Sequence, residues 1–214
     1  MKRKNPKASK AAKHEHSEHG KHNNPIDLEA YLKRLESPER AEWQRPDAVI
    51  KALGLKRGQT VAEIGAGPGY FSLRLAKAVG PRGTVFAVEV EPQIIGVLRE
   101  RIVAAEARNV VPVLGLDDDP LLPPKSCDLV LMVNALHHVE ERRAYLKRLA
   151  RSLKPEGRLV VVDFHKRDTP VGPGLGHRLA REEAVRDARA ARFELASESE
   201  LLEYQYFLVL KPRA

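Results

Sequence analysis

Ten residues, "VAEIGAGPGY" at 61–70, set glycines at alternate positions, Gly65, Gly67 and Gly69, behind an apolar run that carries one acid, Glu63. Glycines at the end of a strand let the backbone approach a ligand closely, because no Cβ intervenes. A second acid, Glu89, ends the next apolar run, "TVFAVE", about twenty residues on, where a carboxylate can take both hydroxyls of a ribose. Further polar residues close other apolar runs: Asn134, His137 and His138 after "CDLVLMV", and Asp163 and His165 in "RLVVVDFH". Imidazoles and carboxylates at such places are candidates for proton transfer, and an amide is a candidate for orienting a ligand.

The spacing of the turn discriminates between ligands. A dinucleotide turn reads G-x-G-x-x-G and offers backbone N–H groups to a pyrophosphate. Here the third glycine comes one residue early, and Pro68 removes an N–H that a phosphate could use. Glu63 would repel a pyrophosphate and attract a cation. S-adenosylmethionine, with a sulfonium, an ammonium and no phosphate, fits this pattern better than NAD.

The elements that must position these residues alternate. Residues 26–55 read as two short helices, the second with Ser37 as N-cap and Pro38 at its first position. Then follow strand "TVAEIG", helix "YFSLRLAKAVG", strand "TVFAVEV", helix "EPQIIGVLRERIVAAEA", and strands "NVVPVLG" and "CDLVLMVNAL". The helix "ERRAYLKRLARSLKPEG", stopped by Pro155 and Gly157, leads to strand "RLVVVDF", helix "AREEAVRDARAARF" and two closing strands in "FELASESELLEYQYFLVLKP". This is an α/β chain with a Rossmann-like doubly wound sheet of seven strands. Its last two strands have too short a connection for a crossover and pair antiparallel. Near-continuous apolar strands predict burial on both faces.

These segments, in this order, resemble the class I S-adenosylmethionine-dependent methyltransferases, and most closely the small-molecule branch that includes the ubiquinone/menaquinone C-methyltransferases. The likeness covers about 46–212 and rests on "VAEIGAGPGYFSLRLA", "VFAVEVEP", "CDLVLMVNALHHV", "LKPEGRLVVVDF" and "YQYFLVLKP". It implies S-adenosyl-L-methionine as cofactor, an antiparallel last strand inserted in the sheet, and a methyl group passed to a small-molecule acceptor by in-line displacement. It implies contacts to the cofactor from Glu63, Gly65, Ala66, Gly67, Gly69 and Tyr70 around the turn, and from Glu89 and Val90 after the second strand. The family often carries an acid directly after the glycine that ends the third strand; here that place is Leu116, so Asp117 or Asp118 takes over, or adenine rests on apolar side chains and backbone. Asn134 is expected to line the pocket near the methyl group, with His138 and His165 as candidate bases. The family's N-terminal helices often lie across the cofactor, and Trp43 is placed to cover it or to pack such a lid onto the core.

Bulk properties narrow the alternatives. The expected organisation is a basic, His-containing disordered tail at 1–24, a helical lid at 25–57 and the cofactor-binding domain at 58–214. The net charge of +8 is concentrated in the tail, which holds seven Lys/Arg and two Glu. Its His14, His16, His19 and His22 have no fixed scaffold, so no metal site is expected. A methyltransferase acting on nucleic acid or protein, a non-catalytic sensor of the same cofactor, and an NAD-linked oxidoreductase are the rivals. The tail lacks interleaved aromatics for base stacking. The fourth strand leads into "NALHHV" and not into the Asn/Asp-Pro-Pro-aromatic run of nucleic-acid amino methyltransferases. The one cysteine, Cys127, is compatible with a reducing compartment, and a cytoplasmic location is expected. No apolar run approaches the length of a membrane span, so no membrane-spanning segment is expected.

Overall fold

The computed structural model describes residues 27–213. The tail, with its four histidines, lies outside the described residues. Three helices come first: α1 (Leu28–Leu35), α2 (Glu39–Gln44) and α3 (Pro46–Ala52). They are followed by β1 (Thr60–Ile64), α4 (Ser72–Val79), β2 (Thr84–Glu89), α5 (Pro92–Ala104), β3 (Val110–Leu114), β4 (Cys127–Val133), α6 (Arg142–Ser152), β5 (Leu153–Phe164), α7 (Arg181–Ala190), β6 (Phe193–Ser199) and β7 (Gln205–Pro212).

The seven strands form one sheet in the order β3-β2-β1-β4-β5-β7-β6. β1 to β5 are parallel, and β7 is inserted antiparallel between β5 and β6. Apolar side chains alternate between two cores. Val61, Leu129, Leu131, Val160 and Val162 pack with α3, α4 and α5. Ala62, Ile64, Val130, Met132 and Val161 pack with α6 and α7. Each inner strand is apolar on both faces because helices cover both.

Two local readings differ from the sequence expectation. The N-terminal region holds three helices, because Arg45 adopts a left-handed conformation (φ 44°) that breaks the second predicted helix before Pro46. Ser37 lies one residue outside the cap of α2, which is Pro38; its hydroxyl meets the Glu39 carboxylate. β5 begins at Leu153, earlier than expected, with a bulge opposite Cys127 and Leu129 that accommodates Pro155 and Gly157. A Cβ on Gly157 would stand 2.8 Å from the Cys127 carbonyl oxygen, so the close approach there requires glycine.

Candidate functional site

The parallel strands all end on one edge, and the polar residues singled out from the sequence gather there, as ligand sites do in open α/β sheets. Gly65, Gly67 and Gly69 all have positive φ (73°, 53° and 93°), a region that other residues enter only with strain. A Cβ at Gly65 would stand 2.9 Å from the Cβ of Ala135, so the turn after β1 lies hard against the turn after β4. The Gly65 and Ala66 N–H groups both donate to the Val88 carbonyl, which fixes the turn beside the end of β2.

Glu89 is the hub of that junction. Its carboxylate accepts from the N–H groups of Gly67 (2.8 Å), Val90 (2.8 Å) and Glu91 (3.1 Å). Burial raises its pKa, and the three donors oppose the rise. Oε1 already accepts two of these bonds, and Oε2, which accepts one, keeps a lone-pair site for a ribose hydroxyl. Two buried polar atoms next to the cradle, the Tyr70 hydroxyl and one Glu91 carboxylate oxygen, have no partner among the described residues. A turn that tolerates no Cβ, an acid with spare acceptor capacity and two orphaned polar atoms fit an adenosyl ligand with an amino-acid end.

Val90 and Leu116 are exposed on either side of Glu89 and offer an apolar surface for a flat base. The Gly115 N–H donates to the Glu89 carbonyl and holds Leu116 close. Asp117 is exposed. Asp118 pairs with Arg148 of α6 at 3.2 Å, so its carboxylate is turned toward that helix.

Glu63 lies beneath the cradle, almost wholly buried, where the Ser72 hydroxyl donates to it. Burial pushes its pKa up to about 8. An acid whose folded pKa exceeds its unfolded value binds a proton on folding, so stability falls as pH rises from the usual carboxylate range to about 8. Glu63→Gln removes this ionisation while keeping the Ser72 bond. It is expected to raise the thermal midpoint more at pH above 8 than at pH near 5, and an equal gain at both values in melting curves would refute the assignment.

The N-terminal helices close over this edge. Leu35 of α1 lies 3.6 Å from where a Gly67 Cβ would be, and burial, with a smaller contribution from the Glu89 charge, raises the pKa of Tyr31. Arg40 of α2 is buried above the Tyr70 ring at 4.1 Å and donates to the Leu35 carbonyl. Trp43 packs against Phe164, ring centroids 5.4 Å apart. Three amides then form a closed ring. Gln44 donates to Gln205 (2.6 Å), Gln205 to Asn134 (2.6 Å) and Asn134 to Gln44 (3.3 Å). Asn134 itself sits at φ 53°, which asparagine tolerates better than most residues.

Beyond Asn134, a 3₁₀ turn (Leu136–His138) carries the two histidines. His137 Nδ1 lies 2.8 Å from one oxygen of Asp163 and 2.9 Å from the other. Asp163 is fully buried and also accepts from the Phe164 N–H (2.8 Å) and, at 3.3 Å, from the His137 N–H. His138 is exposed and stacks on His137 at 4.0 Å. His137, His138, Arg142, Lys166, His177 and Arg178 are among the residues that line a cleft of about 350 Å³. His165 packs edge-on against Tyr206, and burial lowers its pKa.

The structure therefore brings Glu63, the glycine turn, Glu89 and Asn134 together at one end of the edge, with the His137–Asp163 pair beside them. Of the adjacent histidines, the sequence points to His138, whereas the carboxylate holds His137. The signal for the pair is the lone acid closing the apolar run "RLVVVDF", which must find a partner when buried. Gln205 has no comparable signal. Among the described residues no group of three or more His, Cys, Asp or Glu is arranged to hold a metal ion.

Comparison with known proteins agrees with this geometry. A family model described as a methyltransferase domain matches residues 62–159. The chain is 35% identical over 124 residues to the demethylmenaquinone methyltransferase of Tropheryma whipplei (strain Twist), covering 58% of this chain and 48% of that protein. It is 30% identical over 125 residues to the ubiquinone/menaquinone biosynthesis C-methyltransferase UbiE of Cellvibrio japonicus, covering 58% and 49%. The chain thus spans about half the length of the curated relatives it matches. A crystal structure of a SAM dependent methyltransferase from Aquifex aeolicus superimposes with a TM-score of 0.82 at 26% identity, covering 86% of this chain and 98% of that one.

Proposed function

We propose that the chain is a class I S-adenosylmethionine-dependent methyltransferase, the family it resembles, and that it methylates a small molecule bearing an acidic hydroxyl, such as a phenol or hydroquinone. The observation that carries this reading is the His137–Asp163 pair beside the glycine cradle. The cofactor supplies an electrophilic methyl group when bound. Glu89 orients the ribose, Val90 and Leu116 flank the adenine, and Gly65, Gly67 and Gly69 let the backbone close on the methionine end.

The rest is done by the chain's own side chains. Asp163 accepts the His137 Nδ1–H, which fixes the neutral tautomer with its lone pair on Nε2. His137 lines the cleft with 5% of its side chain exposed, and on this reading a hydroxyl seated against it gives its proton to Nε2. The electron pair released makes the hydroxyl oxygen, or the ring carbon beside it, nucleophilic. Such a base contributes about 10²–10⁴-fold, and alignment of the reactants contributes more. The relatives' names refer to menaquinone and ubiquinone, whose reduced rings carry such hydroxyls; this supports a hydroquinone among the candidates.

Calorimetric titration with S-adenosylmethionine and with NAD, followed by an acceptor screen that detects S-adenosylhomocysteine, tests the reading. Saturable binding of S-adenosylmethionine without NAD binding is expected, with turnover on hydroxylated aromatic acceptors. Binding of NAD alone would overturn the cofactor, and turnover on nucleic acid or protein alone would overturn the acceptor class. Tight cofactor binding with no turnover across the screen would favour a sensor.

A further inference from the structure

A surface beside the adenine end of the site has its own chemistry. Helix α6 carries Arg142, Arg143, Lys147, Arg148 and Arg151 and no acid. Arg143, Lys147 and Arg151 are spaced four apart, so they form one exposed stripe along the helix. Arg142 and Arg143 are bound to Asp187, and Arg148 to Asp118. Lys147 and Arg151 have no ion pair among the described residues.

The 116–125 loop runs beside this helix. Arg148 donates to the Asp118 carbonyl at 2.6 Å, and the Lys125 N–H donates to the Arg151 carbonyl at 2.8 Å. On the loop, Leu116 and Leu121 are 52% and 50% exposed, whereas Leu122 turns inward onto the core. Leu121 and Lys125 are both held at positive φ (52° and 50°), an unfavourable region for such side chains. An exposed leucine kept in a strained conformation next to a cationic stripe is not explained by packing.

We propose that the exposed stripe of α6 and the neighbouring Leu121 form a docking face for an anionic phospholipid bilayer. Lys147 and Arg151 meet the headgroup phosphates, and Leu121 enters the boundary between headgroups and acyl chains. A nucleic acid would meet the same cations, but no Phe, Tyr or Trp side chain is exposed among the described residues to stack on a base. The exposed Leu121 favours lipid. The proposal stands on this surface and not on the methyltransferase reading.

Flotation of the full chain with phosphatidylcholine vesicles, with and without phosphatidylglycerol, tests it. Binding is expected only to the vesicles containing phosphatidylglycerol. Each basic side chain near such a surface is worth about fivefold, so Lys147→Glu/Arg151→Glu is expected to lower partitioning about tenfold or more. Leu121→Asp is expected to lower it severalfold. The control Lys77→Glu/Arg82→Glu, on exposed positions of the opposite helical layer, is expected to leave it unchanged. If the doubly reversed α6 variant melts early, Lys147→Gln/Arg151→Gln takes its place. Absence of binding to anionic vesicles would overturn the proposal. So would a loss equal to that of the control pair, or loss of duplex DNA binding in the α6 variant with vesicle binding intact.

Discussion

Replacing His137 with alanine is expected to lower turnover by about 10²–10⁴-fold while leaving the affinity for S-adenosylmethionine unchanged. The ring sits three residues past Asn134, held by both oxygens of a carboxylate that has no exposure to solvent. Asp163→Asn should be nearly as damaging to turnover, for a different reason. An asparagine can present its NH₂ to the imidazole, reverse the tautomer and leave Nε2 carrying the proton. It also leaves the Phe164 and His137 N–H groups competing for a single acceptor oxygen. A pH–rate profile separates catalysis from folding: the limb that reports protonation of the base should vanish in His137→Ala. Turnover within about threefold of the parent, with an unaltered profile, would reduce His137 to a packing residue.

Glu89→Gln is expected to weaken S-adenosylmethionine binding by about 100-fold. The substitution keeps the shape and removes the acceptor chemistry. Three N–H groups converge on the two carboxylate oxygens of Glu89, from Gly67, Val90 and Glu91. A glutamine has one oxygen, and its NH₂ must then face an N–H group. A hydrogen bond to a charged acceptor contributes about 1.5–3 kcal/mol, so one lost bond already corresponds to about 10- to 150-fold. The loss falls on the turn as well as on the ribose, because the Gly67 N–H is one of the three donors. Calorimetry on the folded variant decides this; parental affinity would remove Glu89 from the proposed ribose contacts.

Sheet and glycine turn were legible in the sequence because each rests on local chemistry. Apolar runs such as "RLVVVDF" can only be buried on both faces, and the alternate glycines can only mark a left-handed turn with close neighbours. The His137–Asp163 pair was harder to read, since 26 residues separate its members. The parallel register that pairs Val133 with Val162 sets Asn134 and Asp163 at adjacent strand ends, and only that register chooses His137 over its neighbour. The amide ring was not legible. Glutamines are ordinary on helices and strand ends, and nothing local marks Gln44 and Gln205 as partners. The break between α2 and α3 depended on one left-handed residue, Arg45, a type with no preference for that conformation.

The amide ring also has a consequence for how the chain unfolds. Gln44 and Gln205 are 161 residues apart, near opposite ends of the described chain, and both are buried. Each amide in the ring is oriented by the other two, so none can turn without its neighbours turning too. Peeling away β7 would strand polar groups on α2, and lifting α2 would strand them on β7, at about 1–3 kcal/mol for each group left unpaired. First helix pair and last strand are thereby coupled into one cooperative unit, and fraying at either terminus is resisted by the other.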